Sequence, residues 1–327
     1  MSDKFVHFGD LEPRAGLLRA WERARNKHAS WFAECFAEFL GVFIYTFAGT
    51  GATLAYNLGN IAKLSGVGSL LGIGLSYAIG IILAIAICAP VSGAHLSPAI
   101  TIVAALFKGF PPLRAVRYVI AQILGSFIAC LVIYVQYHDQ IKTISHALEA
   151  QGVLNRINFT PQGIAGSFAL YAPVGSSLKY VFFNEFVCTF LLGMVIWACV
   201  DPTNFYVPTS SFSVVIAFGY AMIIWGYAPA GLAANTARDV GGRMMAVAIW
   251  GTKASGGAYA AIAALTNILA TWVALVVYEA FFADSSRVVS PDRRLHLGAK
   301  MAELEHRNGT SSANGSQPYG SSEKVGA

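Results

Sequence analysis

Six long apolar stretches run through the chain at roughly 31–56, 67–91, 114–136, 180–200, 211–229 and 257–282. Each approaches or exceeds the ~20 residues that carry an α-helix across a bilayer. Two shorter helical runs, about 98–107 and 236–247, are interleaved with them. At ~1.5 Å per residue each reaches only about half the hydrocarbon core. Such a segment can enter and return only where protein or a cavity covers its irregular backbone. The chain is 56% hydrophobic and 12% charged, whereas a soluble domain carries about 25% charged residues. Too little charge is present to cover a water-soluble surface. The expected fold is an all-α membrane protein of six transmembrane helices plus two re-entrant half-helices.

The two short runs are opened by loops that look like distorted copies of each other. The first reads Ser92-Gly93-Ala94-His95-Leu96-Ser97-Pro98-Ala99, the second Ala230-Gly231-Leu232-Ala233-Ala234-Asn235-Thr236-Ala237-Arg238. Each has a small residue, Gly, three mainly apolar positions, a capping residue, one variable position and Ala. Ser97 and Asn235 are strong N-caps, and Pro98 suits the first helical position. The duplication recurs in the spans, where Ala37-Glu38-Phe39 in the first matches Asn184-Glu185-Phe186 in the fourth. Three spans per half put the halves in opposite orientations, an inverted repeat. Repeat one is expected at about 31–136, repeat two at about 180–282, and a long outer loop at 137–179.

An inverted repeat brings the half-helix N-termini face to face at the bilayer midplane. Their dipoles put positive potential there. A cation or a hopping proton is repelled, while a small neutral hydrogen-bonding solute can pass along exposed carbonyls and Asn235. Ala99 and Ala237 are small enough for the two tips to meet.

Lys and Arg are dense before residue 30 and recur after 286. That predicts both termini on the cytoplasmic side. Residues 1–30 read as a cytoplasmic leader, 31–282 as the channel domain, and 283–327 as a cytoplasmic tail, disordered from about 308. Leu17, Leu18, Trp21 and Ala24 share one helical face, which reads as an interfacial helix or a partly ordered leader. Most of the net charge of +5 lies in the charged termini and does not imply nucleic acid. The five cysteines lie in apolar spans, and no Cys/His spacing suggests a metal, so no cofactor is expected. No nucleophile–base set points to an enzyme.

Glu38 and Glu185 are carboxylates in apolar spans and need partners. They can relay protons, as in a coupled transporter, or accept hydrogen bonds from the loop backbones; their matched placement favours the second. Arg238, directly after the second loop, is expected at a constriction. Asp239 suits the N-terminus of the same half-helix. His95 can sense pH or brace its loop, and bracing is the simpler reading.

These residues resemble the major intrinsic protein family, the aquaporins and aquaglyceroporins, from about Trp31 to Phe282. Ala37-Glu38-Phe39, Ser92-Gly93-Ala94-His95-Leu96 and Ala237-Arg238-Asp239 together carry the resemblance. It implies one pore per subunit, a homotetramer, passive transport and a plasma-membrane location. The family's Asn-Pro-Ala is replaced here by Ser97-Pro98-Ala99 and Asn235-Thr236-Ala237, departures similar to those of fungal aquaglyceroporins.

Carried over from the family, the selectivity filter falls on Tyr77, Leu232, Arg238 and either Ile223 or Ile224. Water-selective members place His at the fourth corner. An Ile there, with Asp239 after the Arg and the small pair Ala263 and Ala264 in span six, resembles the polyol branch. The aromatic corner usual in glycerol filters is missing if Leu232 is correctly placed. The expected solutes are glycerol and other small polyols with water, and further urea or hydrogen peroxide. A water-selective channel and a proton- or ion-coupled transporter are the alternatives.

Overall fold

A computed structural model describes residues 5–12 and 14–308. The disorder expected beyond about 308 therefore lies outside the described residues. In chain order the helices are α1 (Phe8–Leu11), α2 (Gly16–His28), α3 (Ser30–Ile61), α4 (Leu70–Ser92), α5 (Pro98–Phe107), α6 (Pro112–Gln136), α7 (His138–Ala150), α8 (Leu154–Asn158), α9 (Ile164–Phe168), α10 (Leu178–Val200), α11 (Phe212–Tyr227), α12 (Thr236–Trp250), α13 (Ala258–Phe281) and α14 (Pro291–Asn308). No strand occurs among the described residues. Six of the helices, α3, α4, α6, α10, α11 and α13, are long and apolar enough to span a membrane. The protein is an integral membrane protein.

The first span runs five residues past its expected end, to Ile61, and the second half-helix three past its own, to Trp250. The first addition, Asn57 to Ile61, is mixed in polarity and carries no apolar run of its own; the second, Ala248-Ile249-Trp250, continues the apolar run of its half-helix up to Gly251. Local chemistry sets other boundaries. Ser69 Oγ accepts the Gly72 N–H and starts α4, which ends on left-handed Gly93.

The two repeats share one packing scheme. Helix α3 packs on α4 and α6, as α10 packs on α11 and α13. Each half-helix then crosses to the other repeat: α5 rests on α13, and α12 on α6. A small residue permits the second crossing, since a side chain at Gly241 would overlap α6; within repeat one, a side chain at Gly125 of α6 would overlap the Phe39 carbonyl of α3. The polarity is inside out. Leu83, Ile87, Leu124, Phe183 and Leu269 are exposed, while Glu38, Gln122, Glu185, Arg238 and Asp239 are buried. All five cysteines are free.

Both ends of the described chain lie at one face. Arg293 of α14 lies 3.9 Å over the Phe212 ring and donates to the Cys199 carbonyl. Asp292 accepts the Thr209 N–H at 2.7 Å. The Thr209 hydroxyl and N–H together hold the Asp292 carboxyl below the usual carboxylate range. That contact is therefore intact at neutral pH and weakens only on acidification through the lowered value. His7 stacks on His306 at 4.1 Å. Leu17, Leu18 and Trp21 of α2 are exposed on one side of an amphipathic helix.

The connection 137–179 is partly helical. Its last helix, α9, packs against α3 and α12 and places backbone carbonyls beside the candidate filter.

Candidate functional site

The two loops meet directly. Asn235 Nδ2 donates to the Leu96 carbonyl across 3.0 Å, and Leu96, Ala234 and Ala237 share one buried cluster. Asn235 Oδ1 also accepts the Ala237 and Arg238 N–H groups, at 2.9 and 3.4 Å, and so caps α12. Ser97 differs from the cap expected of it. It occupies the N-cap position of α5 in extended conformation, but its side chain makes no cap bond. Pro98 behind it has no N–H to offer, and Ser97 is among the residues that line a cavity.

The residue before each cap is left-handed: Leu96 has φ +50° and Ala234 has φ +61°. Such a backbone costs on the order of 1–3 kcal/mol and persists only where its surroundings hold it. Two buried carboxylates do so. Glu38 accepts the His95 and Leu96 N–H groups at 3.0 and 2.8 Å, Ser92 Oγ at 2.7 Å and Gln122 Nε2 at 2.7 Å. Glu185 accepts the Ala233 and Ala234 N–H groups at 2.6 and 2.7 Å. In both repeats the bonded amides lie two and one residues before the cap. His95 Nδ1 is 3.2 Å from Thr101 Oγ1, its ring wedged against Phe110 and Tyr118.

Thr236, where the family has proline, is bonded to the last span. Its hydroxyl lies 2.6 Å from Asn267 Oδ1 and 2.8 Å from the Ala264 carbonyl. Asn267 is 1% exposed. Thr236→Pro would restore the common tripeptide and suit a first helical position. It would also leave a buried amide oxygen without its donor, at a cost of about 1–3 kcal/mol. The melting temperature of the purified protein in detergent should fall; an unchanged value would show that Asn267 does not depend on Thr236.

Arg238 is 1% exposed, with four of its five N–H donors engaged. Nε donates to Tyr77 Oη at 2.9 Å, Nη1 to the Phe168 carbonyl at 2.6 Å, and Nη2 to Thr50 Oγ1 at 3.1 Å and the Ser167 carbonyl at 2.9 Å. One Nη1 hydrogen is left. Among the described residues the charge of Arg238 has no carboxylate partner; Asp239 pairs with Arg243 instead, Nη2 to Oδ1 at 2.6 Å. Arg243 also donates to the Leu170 and Ser255 carbonyls, tying α12 to the connections that precede α10 and α13.

Tyr77, Ile223, Ile224 and Leu232 all belong to the cluster around the loop tips. Both isoleucines are buried there, so both candidates for the fourth corner are brought in. Ala263 is fully buried on α13 beside the Asn267 amide, which donates to its carbonyl. A cavity of about 490 Å³ lies on the terminus side of this cluster, with Tyr45, Ile81, Ser97, Tyr220 and Asn235 in its wall.

Several participants are not evident from the twin loops and their neighbours in the sequence. Tyr45 and Tyr220 line the cavity, Thr50 and two carbonyls of α9 hold Arg238, and Gln122 bridges Glu38 to Thr101. A four-residue ladder, Gly41, Tyr45 and Gly49, signals Tyr45. Backbone carbonyls carry no signal in side-chain identity.

Two half-helices meeting at their N-termini among six spanning helices, beside a cavity, define a membrane channel. The chain belongs to the major intrinsic protein family, whose profile matches residues 25–278. It is 46% identical over 304 residues to "Aquaporin-3" of Laccaria bicolor, covering 92% of each chain. It is 33% identical over 231 residues to the "Glycerol uptake facilitator protein" of Pseudomonas aeruginosa, covering 68% of this chain and 77% of that protein. The fold is shared with the X-ray structure of the aquaglyceroporin from Plasmodium falciparum, at a TM-score of 0.66 and 23% identity, covering 77% of this chain and 97% of that one. Members of the family are channels, not enzymes, and this chain is a passive channel.

Proposed function

We propose that this channel conducts glycerol and other small polyols together with water and excludes protons and ions. The observation that carries the reading is the two-faced composition of the Arg238 neighbourhood. The guanidinium and the Tyr77 hydroxyl stand beside an apolar cluster that holds Leu232 and both candidate isoleucines, Ile223 and Ile224. A polyol has the same two faces, CH groups on one edge and hydroxyls on the other, and a narrow site matching both lowers the cost of stripping its water. The Tyr77 hydroxyl on Arg238 Nε is chemically what a glycerol hydroxyl would be there. Exchange between the two hands the solute a donor without leaving the arginine unpaired.

In this reading Ser97, Pro98, Ala99, Asn235, Thr236 and Ala237 make the midplane, where the α5 and α12 dipoles and the Arg238 charge repel cations. Glu38, Glu185 and His95 hold the loops. Asp239 marks the polyol branch and acts through Arg243 rather than on the solute. Both carboxylates are occupied by loop amides, which supports anchoring over a proton relay. Urea and hydrogen peroxide fit the same size and hydrogen-bonding class. We take the protein to be a homotetramer in the plasma membrane with both termini cytoplasmic.

The test is stopped-flow light scattering of proteoliposomes under an inward glycerol gradient. Re-swelling well above protein-free vesicles, unaffected by a pH gradient or a membrane potential, is expected. Water flux with glycerol flux at the protein-free level would make the protein a water-selective channel. Dependence on either gradient would make it a coupled transporter.

A further inference from the structure

Tyr45 has a hydroxyl that the reading so far does not use. The residue is 2% exposed, and neither its Oη nor the neighbouring Thr46 Oγ1 has a hydrogen-bond partner of normal geometry. A buried hydroxyl left so costs about 1–3 kcal/mol unless something supplies a partner. Tyr45 is also in the wall of the cavity, as is Tyr220 across from it on α11. The Tyr220 hydroxyl makes no hydrogen bond to a described residue, and the residue is 6% exposed.

The helices give this pair its level in the pore. On α3, Gly41 lies against Leu96 of the midplane loop and Gly49 against the Tyr77 ring, so closely that a methyl at either would overlap its neighbour. Tyr45 is midway between them, one helical turn of ~5.4 Å from each. On α4 the face that carries Tyr77 continues through Ile81 and Ile85, both in the cavity wall. On α11 the face runs from Ile216 through Tyr220 to Ile223 and Ile224. The Tyr220 and Tyr77 rings are 5.6 Å apart. The phenols of Tyr45 and Tyr220 thus lie between the loop tips and Arg238, on a stretch otherwise walled by isoleucine.

We propose that Tyr45 and Tyr220 form a second solute-selecting collar, one turn inward of the filter, in which the Tyr45 hydroxyl hydrogen-bonds to a hydroxyl of the passing polyol. The proposal rests on the reading of the protein as a polyol channel. A glycerol molecule leaving Arg238 for Asn235 has an apolar wall of Ile81 and Ile223 or Ile224 to pass. A hydroxyl at that level replaces a lost water, and only a solute large enough to bridge towards it gains.

Reconstituted Tyr45→Phe tests this by its glycerol and water permeabilities in the same vesicles. One hydrogen bond is worth about 1 kcal/mol, so the glycerol-to-water ratio should fall about five-fold. Tyr220→Phe should lower it in the same direction. The melting temperature of Tyr45→Phe should not fall, because the hydroxyl removed makes no hydrogen bond of normal geometry to a described residue. An unchanged ratio, an equal fall in both permeabilities, or a clear loss of thermal stability would each overturn the collar. Wild-type protein that passes no glycerol would remove the polyol reading itself. Wild-type glycerol flux with an unchanged Tyr45→Phe ratio would remove the collar alone.

Discussion

Replacing Arg238 with alanine should make the channel leak protons and small cations. The guanidinium is buried and has no neutralising carboxylate among the described residues, because Asp239 is committed to Arg243. A monovalent cation about 5 Å away meets a repulsion of about 3 kcal/mol at an effective dielectric of ~20. Removing it should raise ion or proton conductance on the order of 100-fold, read as dissipation of a pH gradient in dye-loaded vesicles. The same truncation strips donors from Tyr77 Oη, Thr50 Oγ1 and the Ser167 and Phe168 carbonyls. The exposed carbonyls would then attract the cations that the arginine repels. Arg238→Lys keeps the charge but not the planar fork that serves four acceptors, so it should leak less than alanine and still disturb α9. A leak in Arg238→Ala no greater than in the parent protein would take Arg238 out of the exclusion mechanism.

Glu38→Ala should be the most destabilising single substitution of the loop supports, and Glu185→Ala the next. Glu38 collects four donors, two of them loop amides; Glu185 collects two amides. Each amide orphaned in a buried site costs about 1–3 kcal/mol. The left-handed residues Leu96 and Ala234 lose what holds them at the same time. Loss of folded yield or a large drop in melting temperature is expected for both alanine variants, larger at Glu38. Gln at either position keeps one carbonyl acceptor but turns an NH₂ towards an N–H, so its effect should be intermediate. Equal and small shifts at the two positions would contradict the view that these carboxylates hold the loops.

Much of this arrangement was readable from residue identities. The spans follow from apolar length alone, and the twin loops from a cap, a helix start and a small residue at matched spacing. Glu38 and Glu185 stand out because a carboxylate inside a span demands a partner. Other features had no such signature. Ser97 stands at the N-cap of α5, yet its side chain makes no cap bond, and Glu38 takes the loop amides. Thr236 stands where the family has proline, and its hydroxyl makes a bond to Asn267 that proline could not. The carbonyls that hold Arg238 come from α9 in the long connection, where any residue type could have served. The choice between Ile223 and Ile224 depends on helix rotation, which one residue of loop length changes.

That remaining choice gives the most direct test of the central claim, that a filter with one polar and one apolar edge selects polyols. The measurement is the glycerol-to-water permeability ratio in proteoliposomes for the parent protein, Ile223→His and Ile224→His. A high ratio in the parent that collapses in one of the two variants, with water flux retained, is the predicted result, because an imidazole removes the wall on which the CH edge lies. A parent without glycerol flux, or a ratio indifferent to both histidines, would contradict it.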